Sequence, residues 1–146
     1  MGAVVDTTVF IDLEHARRRS ATDSGVLIGE YLERALGPDE EIAIAAITAS
    51  ELLHGVHRAT PEHRGAREAF IEAVLSVVPV LEFDLLAARV HARLWAETVA
   101  ARTNVGPHDR LVAATAIKLG WRVATANVRH FNQIPGLDVV EVAPTR

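Results

Sequence analysis

The chain has 146 residues, of which 49% are hydrophobic and 23% charged, and it contains no cysteine. This composition is typical of a globular protein, and it excludes disulfide bonds, a thiolate nucleophile and a cysteine-based zinc site. The formal net charge of −4 argues against a general nucleic-acid coat protein, which is normally basic.

The length predicts a single domain covering residues 1–146. The N-terminal segment has no basic stretch followed by a long apolar run, as a signal peptide would require. The most apolar segment, at 73–83, is too short to span a bilayer and contains Pro79. We therefore expect a cytoplasmic protein that does not associate with membranes.

The first half of the chain alternates between strand and helix patterns. AVVDTTVF, at residues 3–10, is β-branched and apolar on both faces, which predicts a central strand buried between helices. A polar connector at 15–25 precedes a helical pattern at 26–36. IAIAAI, at 42–47, predicts a second buried strand, and the next helix is predicted to begin at Thr48.

The second half continues the alternation. Thr60 and Pro61 predict a helix start, with threonine as N-cap and proline in the first turn. Asp84 is predicted to cap a long helix, and a later helix is predicted to end at Gly120. The remaining strands are predicted at 78–83, 121–127 and 137–142. Strands that alternate with helices predict an α/β fold with a mostly parallel sheet covered on both faces.

Four oxygen-bearing side chains fall near the carboxyl ends of these strands, where such sheets bind ligands. Asp6 lies in an apolar strand pattern, where an unpartnered charge is costly. Asn127 ends the fourth strand, and Asp109 opens a helix, where it also fits a simple capping role. Glu51 equally fits a capping box that begins at Thr48. A cluster of hard oxygen ligands without cysteine predicts Mg²⁺, with Mn²⁺ as a plausible substitute.

Four motifs resemble the PIN-domain ribonucleases, and among them the VapC toxins of bacterial type II toxin–antitoxin pairs. In chain order they are VVDTTVFID, ITASELLHGVHRA, GPHDRLVAATAI and VATANVRHFNQIPGL. The resemblance implies a three-layer PIN-like α/β fold and a metal-dependent endoribonuclease. It also implies a homodimer that is neutralised by a cognate antitoxin, with an antitoxin arginine pairing with the acidic cluster.

The resemblance assigns roles to individual residues. It implies that Asp6, Glu51 and Asp109 are the catalytic metal ligands. The family's fourth acidic position falls on Asn127, which carries one negative charge fewer and is expected to assist directly or through water. Thr7 matches a Ser/Thr that orients the metal or its water.

Two arginines, Arg110 and Arg129, are candidate RNA contacts, although a solvated surface position suits each equally well.

The residues fit two alternative functions less well. A Mg²⁺-dependent phosphatase with an aspartyl nucleophile needs a second aspartate two residues after the first, where Thr8 stands. A non-catalytic RNA-binding PIN-like module fits the fold but not the nearly complete set of acidic residues.

Overall fold

The computed structural model describes residues 1–18 and 24–143. Helices and strands alternate along the described chain. In order they are β1 (Gly2–Val5), α1 (Thr7–Arg18), α2 (Ser24–Leu36), β2 (Glu41–Ala45), α3 (Ala46–Arg58), α4 (Pro61–Val77), β3 (Val80–Leu81), α5 (Leu85–Ala100), α6 (Pro107–Leu119), β4 (Arg122–Thr125), α7 (Val128–Phe131) and β5 (Val139–Glu141).

The strands form one five-stranded sheet in the order β3-β2-β1-β4-β5, with every neighbouring pair parallel. β1 lies in the middle, where Ala3 pairs with Ile42 on one side and with Arg122 on the other. The predicted α/β class is confirmed, and the described sheet is parallel throughout. This arrangement brings the carboxyl ends of β1, β2 and β4 to one edge.

Both faces of the sheet are covered, because side chains of β1 alternate between two separate cores. Ala3 and Val5 pack with residues of α1, α2 and α4, whereas Val4 packs with residues of α5, α6 and α7. All three are fully buried. The three-layer arrangement follows from this alternation, because successive residues of a strand point to opposite faces.

The first strand is shorter than predicted. It ends at Val5, and residues 7–10, which we predicted to be strand, form the first turn of α1. Val9, Phe10 and Leu13 are buried on one helical face. A short β-branched apolar run suits a buried strand and a buried helix equally well, and tertiary packing decides between them. Asp6 therefore lies directly after the strand and not within it.

The second strand also ends earlier, because Ala46 and Ile47 belong to α3. The helix thus begins before Thr48, and the residue at its N-cap position is Ala45, with no side-chain hydrogen bond to the first turn. The predicted capping box is wrong, since Thr48 is completely buried inside the helix. Glu51 lies in the second turn, where it is not needed as a cap.

Other helix ends agree with the sequence patterns. The Asp84 carboxylate accepts a hydrogen bond from the Ala87 N–H at 2.9 Å, which confirms the predicted N-cap of α5. Gly120 ends α6 with a φ of 69°, a left-handed conformation that glycine adopts without strain. Thr60 precedes α4 as predicted, but its hydroxyl group pairs with the His63 ring and not with the backbone.

The remaining strands are short, and the short helix α7 lies between the predicted strands at 121–127 and 137–142. Within the ranges 1–18 and 24–143, no helix is both long and apolar enough to cross a membrane.

Candidate active site

Asp6 lies between β1 and α1 at the carboxyl edge of the sheet, and only 6% of its surface is exposed. Its Oδ2 accepts hydrogen bonds from the hydroxyl groups of Thr8 at 2.8 Å and Thr125 at 2.9 Å. Burial raises the pKa of the Asp6 carboxyl group, and the negative charge of Asp109 raises it further, while these hydrogen bonds lower it. The carboxylate is thus held in place by hydroxyl groups but disfavoured as an anion by its surroundings.

The two threonines join the ends of β1 and β4. Their hydroxyl oxygens lie 3.3 Å apart. The Thr8 hydroxyl also accepts from the Ala126 N–H at 3.2 Å, and the Thr125 hydroxyl accepts from the Asn127 N–H at 2.9 Å. This threonine pair therefore fixes the Asp6 carboxylate relative to the turn that carries Asn127.

Glu51 projects from the second turn of α3 toward the same edge. Its Oε1 accepts a hydrogen bond from the Thr7 hydroxyl at 3.1 Å, and its Oε2 lies 3.4 Å from Nδ1 of His108. Because Thr7 follows Asp6 directly, this bond connects Glu51 to the end of β1. The structure thus places Thr7 against Glu51, whereas Thr8 holds Asp6.

Asp109 lies in the first turn of α6, and its side chain is 23% exposed. The N-cap residue is Gly106, and the described contact of the Asp109 carboxylate is with Nδ1 of His130 at 3.3 Å. The helix dipole stabilises a negative charge at this position. A capping role alone does not explain the side chain, because it is directed toward a histidine of α7 and contributes to the field at Asp6.

The other predicted site residues differ in how far their side chains are exposed to solvent. Asn127 is half-buried between β4 and α7, and Arg129 is exposed on α7. Arg110 is half-buried, and its guanidinium group donates to the Val105 carbonyl oxygen at 3.0 Å. Arg110 therefore fastens the loop before α6, while its contact with RNA stays a prediction.

In donor chemistry and in charge, these residues fit a hard divalent cation. Asp6 and Asp109 are close enough for their charges to repel, and every candidate ligand atom is an oxygen. In the part of the chain that the structure describes, however, no three aspartate, glutamate or histidine side chains already form a compact metal-binding group. The assignment of Asp6, Glu51 and Asp109 as ligands stays a prediction.

The sequence patterns did not reveal four side chains that contact these carboxylates. Thr8 and Thr125 fall within predicted strands, and His108 and His130 fall in segments next to predicted elements. What the four residues share is their position in the fold, since each lies next to the end of an element that reaches the carboxyl edge of the sheet.

Comparison with known proteins identifies the family. The PIN domain family model matches residues 3–137. Ribonuclease VapC1 of Rickettsia felis is 34% identical over 144 residues, which cover 98% of both chains. This chain belongs to the VapC ribonucleases of the PIN-domain family. It is therefore an endoribonuclease, as the four motifs implied.

Two further relatives of this VapC ribonuclease come from Salmonella typhimurium. The tRNA(fMet)-specific endonuclease VapC is 34% identical over 98 residues, covering 67% of this chain and 73% of the relative. The crystal structure of DNA-bound VapBC has a TM-score of 0.78 and 27% identity, covering 97% of this chain and 98% of that chain.

Proposed function

We propose that this ribonuclease hydrolyses RNA phosphodiester bonds with a divalent cation held by Asp6, Glu51 and Asp109, and that Asn127 assists at the same edge. The observation that carries the proposal is the buried Asp6 carboxylate with Asp109 nearby: burial is the main cause that raises the pKa of Asp6, and the negative charge of Asp109 raises it further. Two carboxylates that disfavour each other's charge gain most from a shared cation.

A bound Mg²⁺ or Mn²⁺ supplies positive charge for the phosphate oxygens and lowers the pKa of a water nucleophile. The protein's own groups prepare the site for it. Thr8 and Thr125 fix the orientation of the Asp6 carboxylate, and Thr7, the next residue in the chain, donates a hydrogen bond to Glu51. This pre-positioning lowers the reorganisation needed when the substrate binds.

Two histidines border the carboxylates. The side chains of His108 and His130 are 57% and 46% exposed, so both reach solvent at the rim of the site. Each ring nitrogen Nδ1 faces a carboxylate, of Glu51 and Asp109 respectively. We assign these histidines to substrate positioning, where the exposed ring edge donates to a phosphate oxygen.

We propose Arg110, Arg129 and Thr7 as further substrate contacts. Arginine is suited to phosphate because its planar fork binds two oxygens at once. Of these residues, Arg129 is the most accessible, since it is exposed on α7. The name of the Salmonella endonuclease makes tRNA the first RNA to test.

Membership of the VapC family suggests two protein partners, an antitoxin and a second copy of the chain. We propose that the chain is the toxin of a toxin–antitoxin pair, acts in the cytoplasm as a homodimer, and is neutralised by an antitoxin that covers the carboxylates. An arginine of that antitoxin would form ion pairs with the carboxylates of Asp6 and Asp109, in place of a metal cation.

The deciding experiment is cleavage of purified RNA by wild type and by Asp109→Asn. Asp109→Asn keeps the shape of the side chain but removes its charge, so we expect cleavage and growth inhibition to be lost while the melting temperature changes little. Chelator should also abolish wild-type cleavage, and Mg²⁺ or Mn²⁺ should restore it. The control is Asp39→Asn, which neutralises an exposed aspartate in the loop between α2 and β2.

Two results would contradict the metal site. The first is cleavage that persists in excess chelator with protein free of contaminating nuclease. The second is full activity of Asp109→Asn with a stability loss of about 1 kcal/mol or less, as expected for a carboxylate that only supports a helix end.

A further inference from the structure

A pocket of about 190 Å³ adjoins the candidate active site and lies between α1, α3 and α4. Thr7 and Glu51, which share a hydrogen bond at the carboxyl edge of the sheet, belong to its lining. Most of the apolar wall comes from four buried side chains, which are Phe10, Leu52, Phe70 and Ile71. The pocket is therefore continuous with the place where the proposed cation and the phosphate meet.

The pocket extends away from the site along about two turns of α1. One face of this helix supplies part of the lining, at the helical spacing of Thr7, Phe10, Ile11, Glu14 and His15. The interval from Thr7 to Glu14 is about 10 Å at 1.5 Å per residue, which is comparable with the distance from the phosphate of a nucleotide to the far edge of its base. A nucleotide whose phosphate lies beside Glu51 can therefore place its base in the pocket.

A charged pair stands in this largely apolar lining. Glu14 is only 8% exposed, and its Oε2 accepts a hydrogen bond from Nε of Arg67 at 3.3 Å, while its Oε1 lies 3.3 Å from Nη2 of Arg67. Nη1 of Arg67 also donates to the Gly55 carbonyl oxygen at 3.4 Å. Contacts with α1 and α3 thus hold the guanidinium group, which belongs to α4, in one orientation.

Packing alone does not explain this pair. Removing two charged groups from water has a free-energy cost that their mutual attraction seldom exceeds, and hydrophobic residues of similar size would stabilise the fold at least as well. Ligand pockets, by contrast, are mostly apolar with a few fixed polar groups that orient the ligand. Glu14 and Arg67 fit this role, because they present acceptor and donor atoms side by side.

We infer that the pocket binds a guanine base of the RNA substrate, next to the phosphate that is cleaved, and that Glu14 and Arg67 recognise the base. The inference rests on the proposed function for the position of that phosphate. The Watson–Crick edge of guanine carries two adjacent N–H donors and a carbonyl oxygen, which match a carboxylate and an arginine N–H. Adenine, cytosine and uracil each have a donor at only one position of this edge. A carboxylate has about four acceptor positions, so Glu14 can hold Arg67 and the base together.

The size and the walls of the pocket suit a base. A cavity of about 150 Å³ holds benzene, and this pocket is larger and opens to solvent at the exposed Ile11. The ribose can therefore stay outside while the base enters. Phe10 and Phe70 contribute aromatic surface to the lining, and proteins that recognise single-stranded RNA commonly place unpaired bases against aromatic side chains.

Positive charge beside the pocket favours a nucleotide over an apolar peptide side chain as its occupant. The guanidinium carbon of Arg17 lies 5.5 Å from the centroid of the Phe70 ring, and Nη2 of Arg18 lies 3.7 Å from Oε1 of Glu14. These arginines attract phosphates, although the net charge of the chain is −4. An apolar side chain would instead remove Glu14 and Arg67 from water without offering them hydrogen bonds.

The first test is binding of the four 5′-mononucleotides to the full chain in Mg²⁺, followed by NMR at the Arg67 Nε–H and the Gly55 amide. A mononucleotide has no internucleotide bond, so this test does not depend on cleavage. Guanosine 5′-monophosphate should shift both signals with a Kd about tenfold or more below those of the other three, as expected for one additional hydrogen bond to a charged group.

Glu14→Gln should remove this difference, because an amide offers one acceptor oxygen where the carboxylate offers two. The matched control is Glu72→Gln, which changes an exposed glutamate of α4 and should bind the four nucleotides as wild type does.

The second test is the base preference of cleavage, read from the sequenced ends of fragments of a randomised RNA pool. Wild type and Glu72→Gln should cut next to guanine in preference to the other three bases by about tenfold or more, and Glu14→Gln should lose that preference. A purely structural role of Glu14 would instead lower the cleavage of all sequences equally.

A melting curve establishes that each variant is folded, and Arg67→Lys, which removes the planar fork but keeps the charge, makes the same test should Glu14→Gln not fold. Equal affinities for the four nucleotides, cleavage without guanine next to the cut, or a guanine preference that persists in the folded variants would overturn the inference. A response of the two NMR signals to N-acetylphenylalanine amide and to none of the nucleotides would assign the pocket to a peptide and equally overturn it. Guanine-selective binding by a wild type that does not cleave RNA would contradict the proposed function and support the subsite.

Discussion

Thr125 is fully buried at the end of β4, and its hydroxyl group serves two partners. It donates to Oδ2 of Asp6 and accepts from the Asn127 N–H. Valine has nearly the same shape but lacks these bonds, so Thr125→Val leaves the part-buried Asn127 N–H without this acceptor and the Asp6 carboxylate held by Thr8 alone. We expect a stability loss of about 1–3 kcal/mol and a fall in kcat of roughly tenfold, equivalent to about 1.4 kcal/mol.

Urea unfolding and steady-state cleavage measure these two effects. Thr125→Ser keeps the hydroxyl group and should recover most of the kcat. The control is Thr98→Val on α5, where a buried threonine donates only within its own helix. Equal losses of kcat in Thr98→Val and Thr125→Val would mean that Thr125 has no role in positioning Asp6.

Asp6 should make stability depend on pH in a direction opposite to that of most aspartates. Burial is the main cause that raises the folded pKa of Asp6 above the usual value for an aspartate. A carboxyl group of this kind stabilises the fold below its unfolded pKa and loses that contribution as pH rises through its folded pKa. Asp6→Asn, measured in chelator, should therefore gain stability over wild type as the pH rises from about 3 toward neutrality.

Asp84 provides the opposite case. Its pKa is lowered, first by the hydrogen bond from the Ala87 N–H and then by Lys118. Its contribution is present above the unfolded pKa and is lost as pH falls through the folded pKa. Asp84→Asn should be less stable than wild type near neutrality, and this deficit should shrink on acidification. Parallel pH profiles for the two variants, from urea unfolding, would refute the assignment for Asp6.

At the scale of elements, the sequence patterns located strands and helices better than they located their ends. Val4 to Phe10 is apolar or β-branched throughout except at Asp6, so periodicity does not show where the strand stops. The end at Val5 is set by packing, since Val9 and Phe10 fill the core as one side of a helix. Asp84 and Gly120 were predictable because a capping carboxylate and a left-handed glycine act through local geometry.

The same distinction applies to the site. The alternation of elements predicts a parallel sheet, and because the carboxyl ends of parallel strands share one edge, it also predicts that Asp6, Glu51 and Asp109 lie at that edge. The contacts of Glu51 with His108 and of Asp109 with His130 depend on side-chain placement across separate elements. No local pattern encodes such pairs.

The N-terminal end of β1 packs tightly at Gly2. A Cβ atom at this position would overlap the six-membered part of the Trp121 indole, which precedes β4. Gly2→Ala should therefore destabilise the protein by about 1–3 kcal/mol, as overpacked core positions do. Urea unfolding tests this value.

Gly29 on α2 is the control, because a Cβ atom there meets nothing within 4 Å. Gly29→Ala should be neutral or should stabilise the helix by up to about 1 kcal/mol. If both variants have the same stability as wild type, the Trp121 ring moves aside readily and the N-terminal end of β1 is not tightly packed.

For the whole molecule, the proposed site predicts a trade-off between the stability of the metal-free fold and catalytic function. The repelling carboxylates weaken the metal-free fold, so Asp6→Asn should melt at a higher temperature than wild type in chelator. Cation binding should stabilise wild type by about 2.7 kcal/mol at a hundredfold excess over Kd, and Asp6→Asn should gain much less.

Differential scanning fluorimetry with chelator or Mn²⁺ measures both proteins, and the difference between their melting temperatures should shrink or reverse with metal. A lower melting temperature for Asp6→Asn in chelator, together with equal shifts on adding Mn²⁺, would mean that these residues do not share a cation.

The central position of β1 has a consequence for the time at which a newly made chain becomes able to cleave RNA. The ribosome releases Asp6 first, but its neighbours in the sheet and its hydroxyl donor Thr125 lie up to 119 residues later. Because the N-terminal part of a chain emerges and begins to fold first, a nascent chain carries Asp6 without its partners until Asp109 and β4 have been synthesised. The proposed catalytic edge can be assembled only after β4 has been synthesised, so shorter fragments from interrupted synthesis contain Asp6 and Glu51 but lack Thr125 and the end of β4.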